Sequence, residues 1–159
     1  MLRYLLIAVI LPVFVYGQIH TPCNNYDNNA VDVIVENCTK LPCEIENESW
    51  INSTILFIAP GNHKQLKTEF AIMLGDFRVP YDLPADKQIG CNWLVGDGCP
   101  LVAGQKYNYN FVNKVESPFS NIEIGMEFTL VDENQQTVLC YRSRALILPR
   151  SNTGQLILN

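Results

Sequence analysis

Ile122-Glu123-Ile124-Gly125-Met126-Glu127-Phe128-Thr129-Leu130 places an apolar residue at every second position for nine residues. Side chains of an extended strand point alternately to opposite faces, so this spacing describes a strand with one face buried and one solvated. Tyr107, Tyr109 and Phe111 alternate in the same way with Lys106, Asn108 and Asn110. Phe77, Val79, Tyr81 and Leu83 alternate with Arg78, Pro80, Asp82 and Pro84. The β-branched and aromatic runs 31–35, 50–58, 67–74 and 138–148 are of strand length. No window of a dozen residues carries a helical stripe. Turn sequences fall between the runs: Pro60-Gly61-Asn62, Gly96-Asp97-Gly98, Ser117-Pro118 and Asp132-Glu133-Asn134. About seven short strands punctuated in this way predict an all-β protein, an antiparallel sandwich or barrel. Two prolines in 77–84 make that run an edge strand, since neither can donate to a ladder.

The chain has 159 residues. Arg3 precedes an apolar run from Leu5 to Val15, and Val15 and Gly17 are small enough for a signal-peptidase site. Residues 1–17 are therefore expected to be a secretory signal peptide, with 18–159 forming one domain. Secretion is the expected destination, to extracellular fluid or an endosome–lysosome lumen. Without Arg3 the acidic residues outnumber the basic ones, which argues against nucleic acid as a partner.

Cys23, Cys38, Cys43, Cys91, Cys99 and Cys140 all follow the leader. An even number in an oxidising compartment reads as three disulfides, although six cysteines allow 15 pairings. Cys38 and Cys43 flank a turn-like segment, as do Cys91 and Cys99, and each close pair can close its own loop. Cys23 and Cys140 would then join the first strand to the last. Paired C-x-x-C spacing and nearby histidines are missing, so no metal is expected. In a secreted chain the sequons at Asn37, Asn47 and Asn52 become candidate glycan acceptors.

Catalytic chemistry finds little purchase here. His20 and His63 are the two histidines, and the sequence holds neither HExxH nor GxSxG. With the cysteines assigned to disulfides, no thiol nucleophile remains. The acid pairs Glu44 with Glu46 and Asp132 with Glu133 read as solvated faces. A binding protein is expected rather than an enzyme, with no cofactor.

The chain resembles the ML lipid-recognition domain family, and within it the Niemann–Pick type C2-like proteins. The matching features are Cys23, Cys38-Thr39-Lys40-Leu41-Pro42-Cys43, Val79-Pro80-Tyr81-Asp82-Leu83-Pro84, Cys91 to Cys99-Pro100, Tyr107-Asn108-Tyr109, and Phe128 through Leu139-Cys140. The resemblance implies an immunoglobulin-like sandwich of two antiparallel sheets around an apolar cavity. It also implies bridges Cys23–Cys140, Cys38–Cys43 and Cys91–Cys99. The bound molecule would be a sterol, a fatty acid or a semiochemical-like lipid, and the protein a monomer with transient membrane or receptor contacts. On the family's pattern Tyr81, Val115 and Phe119 are portal residues, and Met126, Phe128, Phe70 and Ile72 line the interior. The alternative within the family is an innate-immune lipid-recognition protein working with a receptor. Basic groups at the mouth would serve that role, and Arg142, Arg144 and Arg150 are the candidates.

Overall fold

The computed structural model describes residues 18–23 and 30–151; the expected leader lies outside them. Nine strands follow in order: β1 Thr21–Pro22, β2 Ala30–Val35, β3 Cys43–Glu46, β4 Trp50–Ile58, β5 Lys67–Leu74, β6 Phe77–Tyr81, β7 Lys106–Lys114, β8 Ile122–Val131 and β9 Thr137–Leu148. Between β6 and β7 lie a one-turn helix, α1 Ala85–Gln88, and a 3-10 turn at Gly90–Trp93. They make two sheets. One runs β1-β9-β8-β5-β6, with β3 also on β9; the other runs β2-β4-β7. The pairs are antiparallel except β3 with β9, which is parallel.

Alternation in the sequence becomes the two faces of each sheet. On β7 the buried residues are Tyr107, Tyr109, Phe111 and Asn113, and on β4 they include Ser53, Ile55 and Phe57. They meet Phe128 and Leu130 of β8 and Leu139 and Tyr141 of β9. Phe128 is the centre of this core. Its ring lies 5.2 Å from Phe111, 5.3 Å from Tyr141 and 5.5 Å from Tyr109, centroid to centroid. One polar bond crosses the core, with the Thr68 and Tyr109 hydroxyls 2.6 Å apart. Burial pushes the Tyr109 pKa upward, and the bond to Thr68 offsets only part of that rise. The phenol therefore stays neutral at any physiological pH.

The outer face of the larger sheet is polar and tightly paired. Glu127 accepts from Arg78 Nε at 2.7 Å and from Arg142 Nε at 2.8 Å. Burial alone would raise its pKa, but the two guanidiniums outweigh that and hold the carboxyl below the ordinary glutamate value. Beside it Gly125 is required by crowding, because a Cβ there would lie 2.7 Å from the Cβ of Met73 on β5.

The disulfides are Cys23–Cys140, Cys38–Cys43 and Cys91–Cys99. The first closes 117 residues, a constraint worth about 4–5 kcal/mol in the chain-entropy account.

Three details depart from the sequence reading. Cys43–Glu46 is a strand, although two of its four residues are acidic; Ile45 is buried while Glu44 and Glu46 face solvent. Asp132 is not on a solvated face. It is buried and accepts the backbone N–H groups of Asn134 and Gln136, each at 2.8 Å. Its other carboxylate oxygen lies 3.2 Å from Nδ1 of His63, while Glu133 accepts the N–H groups of Lys64 and Gln65. Together these acids hold the loop before β5. Phe77, the first apolar residue of the proline-bearing strand, is 78% exposed at the end of the β5–β6 hairpin.

Candidate functional site

A cavity of about 390 Å³ lies between the sheets at one end of the sandwich. The larger sheet supplies Phe70, Ile72 and Leu74 from β5, Val79 and Tyr81 from β6, Ile122, Ile124 and Met126 from β8, and Ile147 from β9. Ile45 of β3, Ile51 of β4 and Asn113 of β7 add to the wall, and residues 114–119 complete it. Residues of seven strands thus converge here. The lining is overwhelmingly apolar, as suits a site that takes an apolar ligand out of water.

Side-chain size explains the opening. At the level of Phe128 the inward residues are aromatic on β5, β7, β8 and β9. One pairing step along, β9 offers Ser143 opposite Met126, and then Ala145 opposite Ile124. On β7 the residue after Phe111 on the same face is Asn113, opposite Ile51 of β4. Smaller side chains cannot fill the spacing of about 10 Å between packed sheets.

At the mouth several apolar groups are open to solvent. Phe119 is 66% exposed, Val79 46% and Leu74 45%. The charged groups on the wall are Lys114 and Glu116, whose Nζ and Oε1 lie 2.7 Å apart. The hydrogen bond to Glu116 and its charge raise the Lys114 pKa, so the ammonium stays protonated at neutral pH. Tyr81 packs edge to face on Phe70, 5.9 Å between centroids, and Phe70 stacks on Phe111. The portal wall therefore rests directly on the aromatic core.

Of the residues expected to contact ligand, Tyr81, Val115, Phe119, Met126, Phe70 and Ile72 lie together on this wall. Phe128 does not. It is 1% exposed and enclosed by its aromatic neighbours, one step beyond the cavity floor. Period-two alternation gives a residue's face but not its depth along the strand. Ile122 and Ile124 belong to the cavity and were legible as continuations of the Met126 face; Ile45 and Ile51 carried no such signal.

The basic groups considered for headgroup binding are elsewhere. Arg142 is paired with Glu127, Arg144 with Glu123 and Arg150 with Glu48, and none of the three lies on the cavity wall. The three sequons also differ from one another. Asn37 and Asn52 are exposed, whereas the carboxamide of Asn47 is bonded to the backbone of Ser117.

Residues 19–147 match the family model of the ML domain, and the chain belongs to that family. The NPC intracellular cholesterol transporter 2 of Danio rerio is 24% identical over 120 residues, which is 76% of this chain and 78% of that protein. A Niemann-Pick type C2 protein from the Japanese carpenter ant has the same fold, with a TM-score of 0.69 at 23% identity over 84% of this chain and 99% of that one. Chicken MD-1, whose structure was solved in complex with lipid IVa, superposes with a TM-score of 0.52 at 11% identity, over 80% of this chain and 87% of that one.

Proposed function

We propose that this protein is a secreted, monomeric carrier that holds one small lipid between its sheets and moves it through aqueous fluid. The observation that carries the reading is the apolar cavity with an exposed apolar mouth. Its size falls in the range of sites for small molecules and suits one sterol, one fatty acid or a semiochemical-like lipid of similar bulk. A multi-acyl amphiphile would need more room. The similarity to a cholesterol transporter supports the same class of ligand.

No bond need be made or broken for this task. Burying about 300 Å² of apolar ligand surface at ~25 cal/mol per Å² is worth roughly 7 kcal/mol before association costs are subtracted. Selectivity then comes from shape, and Tyr81 adds a phenol at the portal where a hydroxyl-bearing ligand would find a partner. The receptor-partner alternative loses its expected headgroup contacts, since Arg142, Arg144 and Arg150 are paired with acids away from the wall. A leader over 1–17 is part of this proposal, and a mature chain beginning at Gln18 would support it.

Mass spectrometry of organic extracts tests the reading on protein from a secreting eukaryotic host. A sterol or fatty acid at close to one per chain is the expected result. Protein that emerges empty and displaces neither a fluorescent sterol nor a fatty-acid probe would refute it.

A further inference from the structure

Residues 115–119 follow β7 and bring Val115, Pro118 and Phe119 to the cavity mouth. They are tied to the turn between β3 and β4. The N–H of Glu48 donates to the carbonyl of Val115 at 2.8 Å, and the N–H of Val115 donates to the carbonyl of Ser49 at 2.9 Å. The next tie is made by a side chain. Nδ2 of Asn47 donates to the carbonyl of Ser117 at 2.7 Å, and its Oδ1 accepts the N–H of Ser117 at 2.9 Å. A carboxamide presents donor and acceptor side by side, so Asn47 grips both backbone groups of Ser117 as a neighbouring strand would. Its Oδ1 also accepts the N–H of Glu48, and its own N–H donates to the carbonyl of Leu148 at the end of β9. Ser117 passes the constraint on: its Oγ donates to the carbonyl of Phe119 at 2.8 Å and accepts the Phe119 N–H.

Asn47-Glu48-Ser49 is also a sequon, and the two roles compete for one atom. A glycan on Nδ2 makes the side chain a secondary amide, planar and trans like a peptide bond. That geometry places the sugar carbon on the same side as Oδ1, where the backbone of Ser117 sits.

We propose that Asn47 is the latch of the cavity mouth, a positioning residue that holds the 115–119 loop, and that its sequon is unmodified in the ligand-holding protein. The latch governs release: with it broken, Phe119 and Val115 swing more freely and a bound lipid escapes faster. This proposal rests on the reading of the cavity as a lipid site, so its test needs one readout that involves no lipid.

The full chain is made in a secreting eukaryotic host as wild type, Asn47→Ala, Asn47→Asp and Ser49→Ala. Ser49→Ala abolishes the sequon and leaves the latch intact. Asn47→Asp keeps the acceptor and loses the donor, and it serves should Asn47→Ala not fold. Glycopeptide mass spectrometry is expected to find Asn47 bare in the wild type. Amide hydrogen exchange without ligand should be roughly tenfold faster across 115–119 in Asn47→Ala, with Ser49→Ala like wild type. Dehydroergosterol and cis-parinaric acid should leave Asn47→Ala at least about threefold faster. Wild-type exchange in Asn47→Ala, a loosened loop with unchanged probe release, or a glycan on Asn47 with full loop protection would each overturn the latch. If neither probe binds even the wild type while Asn47→Ala still loosens the loop, the carrier reading fails and the clamp on the loop stands.

Discussion

The two ends of the sandwich are built by the same strands and filled in opposite ways. At one end Phe57, Tyr107, Tyr109, Phe111, Phe128 and Tyr141 interdigitate until almost no solvent-accessible surface remains. At the other, the same β7, β8 and β9 carry Asn113, then Ile122 to Met126, then Ser143 and Ala145, and about 390 Å³ stays open. The same strands run through both ends, so side-chain volume decides which is core and which is receptacle. The aromatic end is close-packed, and the cavity of the aliphatic end rests directly on it through Phe70 and Phe111.

That contrast can be broken most severely at the filled end. Phe128→Ala should cost about 3–5 kcal/mol of unfolding free energy in a denaturant titration, because the ring touches three aromatic neighbours and leaves a void they cannot close. Lipid binding should fall with it. A loss below about 1 kcal/mol would mean that the two ends share one loosely packed interior. The open end should answer differently. Ile124→Trp adds bulk where space exists, so stability should shift by less than roughly 1.5 kcal/mol while binding of dehydroergosterol drops at least tenfold. Phe119→Ala at the exposed mouth should change stability by no more than about 0.5 kcal/mol and still weaken the probe.

The smallest expected effect concerns pH. His20 is buried against Tyr141, and that burial lowers its pKa below the ordinary 6.5, with Asp32 opposing. The unfolded chain then takes up its proton first as pH falls. The stability from neutral His20 is complete above pH 6.5 and is lost as pH drops through the lower, folded value. Thermal melts should therefore decline modestly between pH 7.5 and 5.5 for the wild type and more shallowly for His20→Gln. Identical slopes would remove His20 from the account.

Most of the strand framework was legible because alternation is a local property. The limits expected for 50–58 and 67–74 coincide with β4 and β5. What escaped was set by partners distant in sequence. Cys43–Glu46 becomes a strand because β9 offers it a parallel ladder. Asp132 looks like a turn residue and is one, but His63, 69 residues earlier, helps bury it. For the site, the face of each strand could be read from the sequence and the depth could not. Met126 and Phe128 share a face two residues apart, yet one lines the cavity and the other seals its floor.

β9 binds β8 along one edge and both β1 and β3 along the other, and it carries Cys140, the partner of Cys23. On a ribosome it is the last of the nine described strands to emerge. The larger sheet must wait for it, and β1 and β3 stay unpaired in the nascent chain until then. This sheet is thus completed only once β9 is available, and a chain cut short before β9 would present open strand edges to chaperones instead of a folded receptacle.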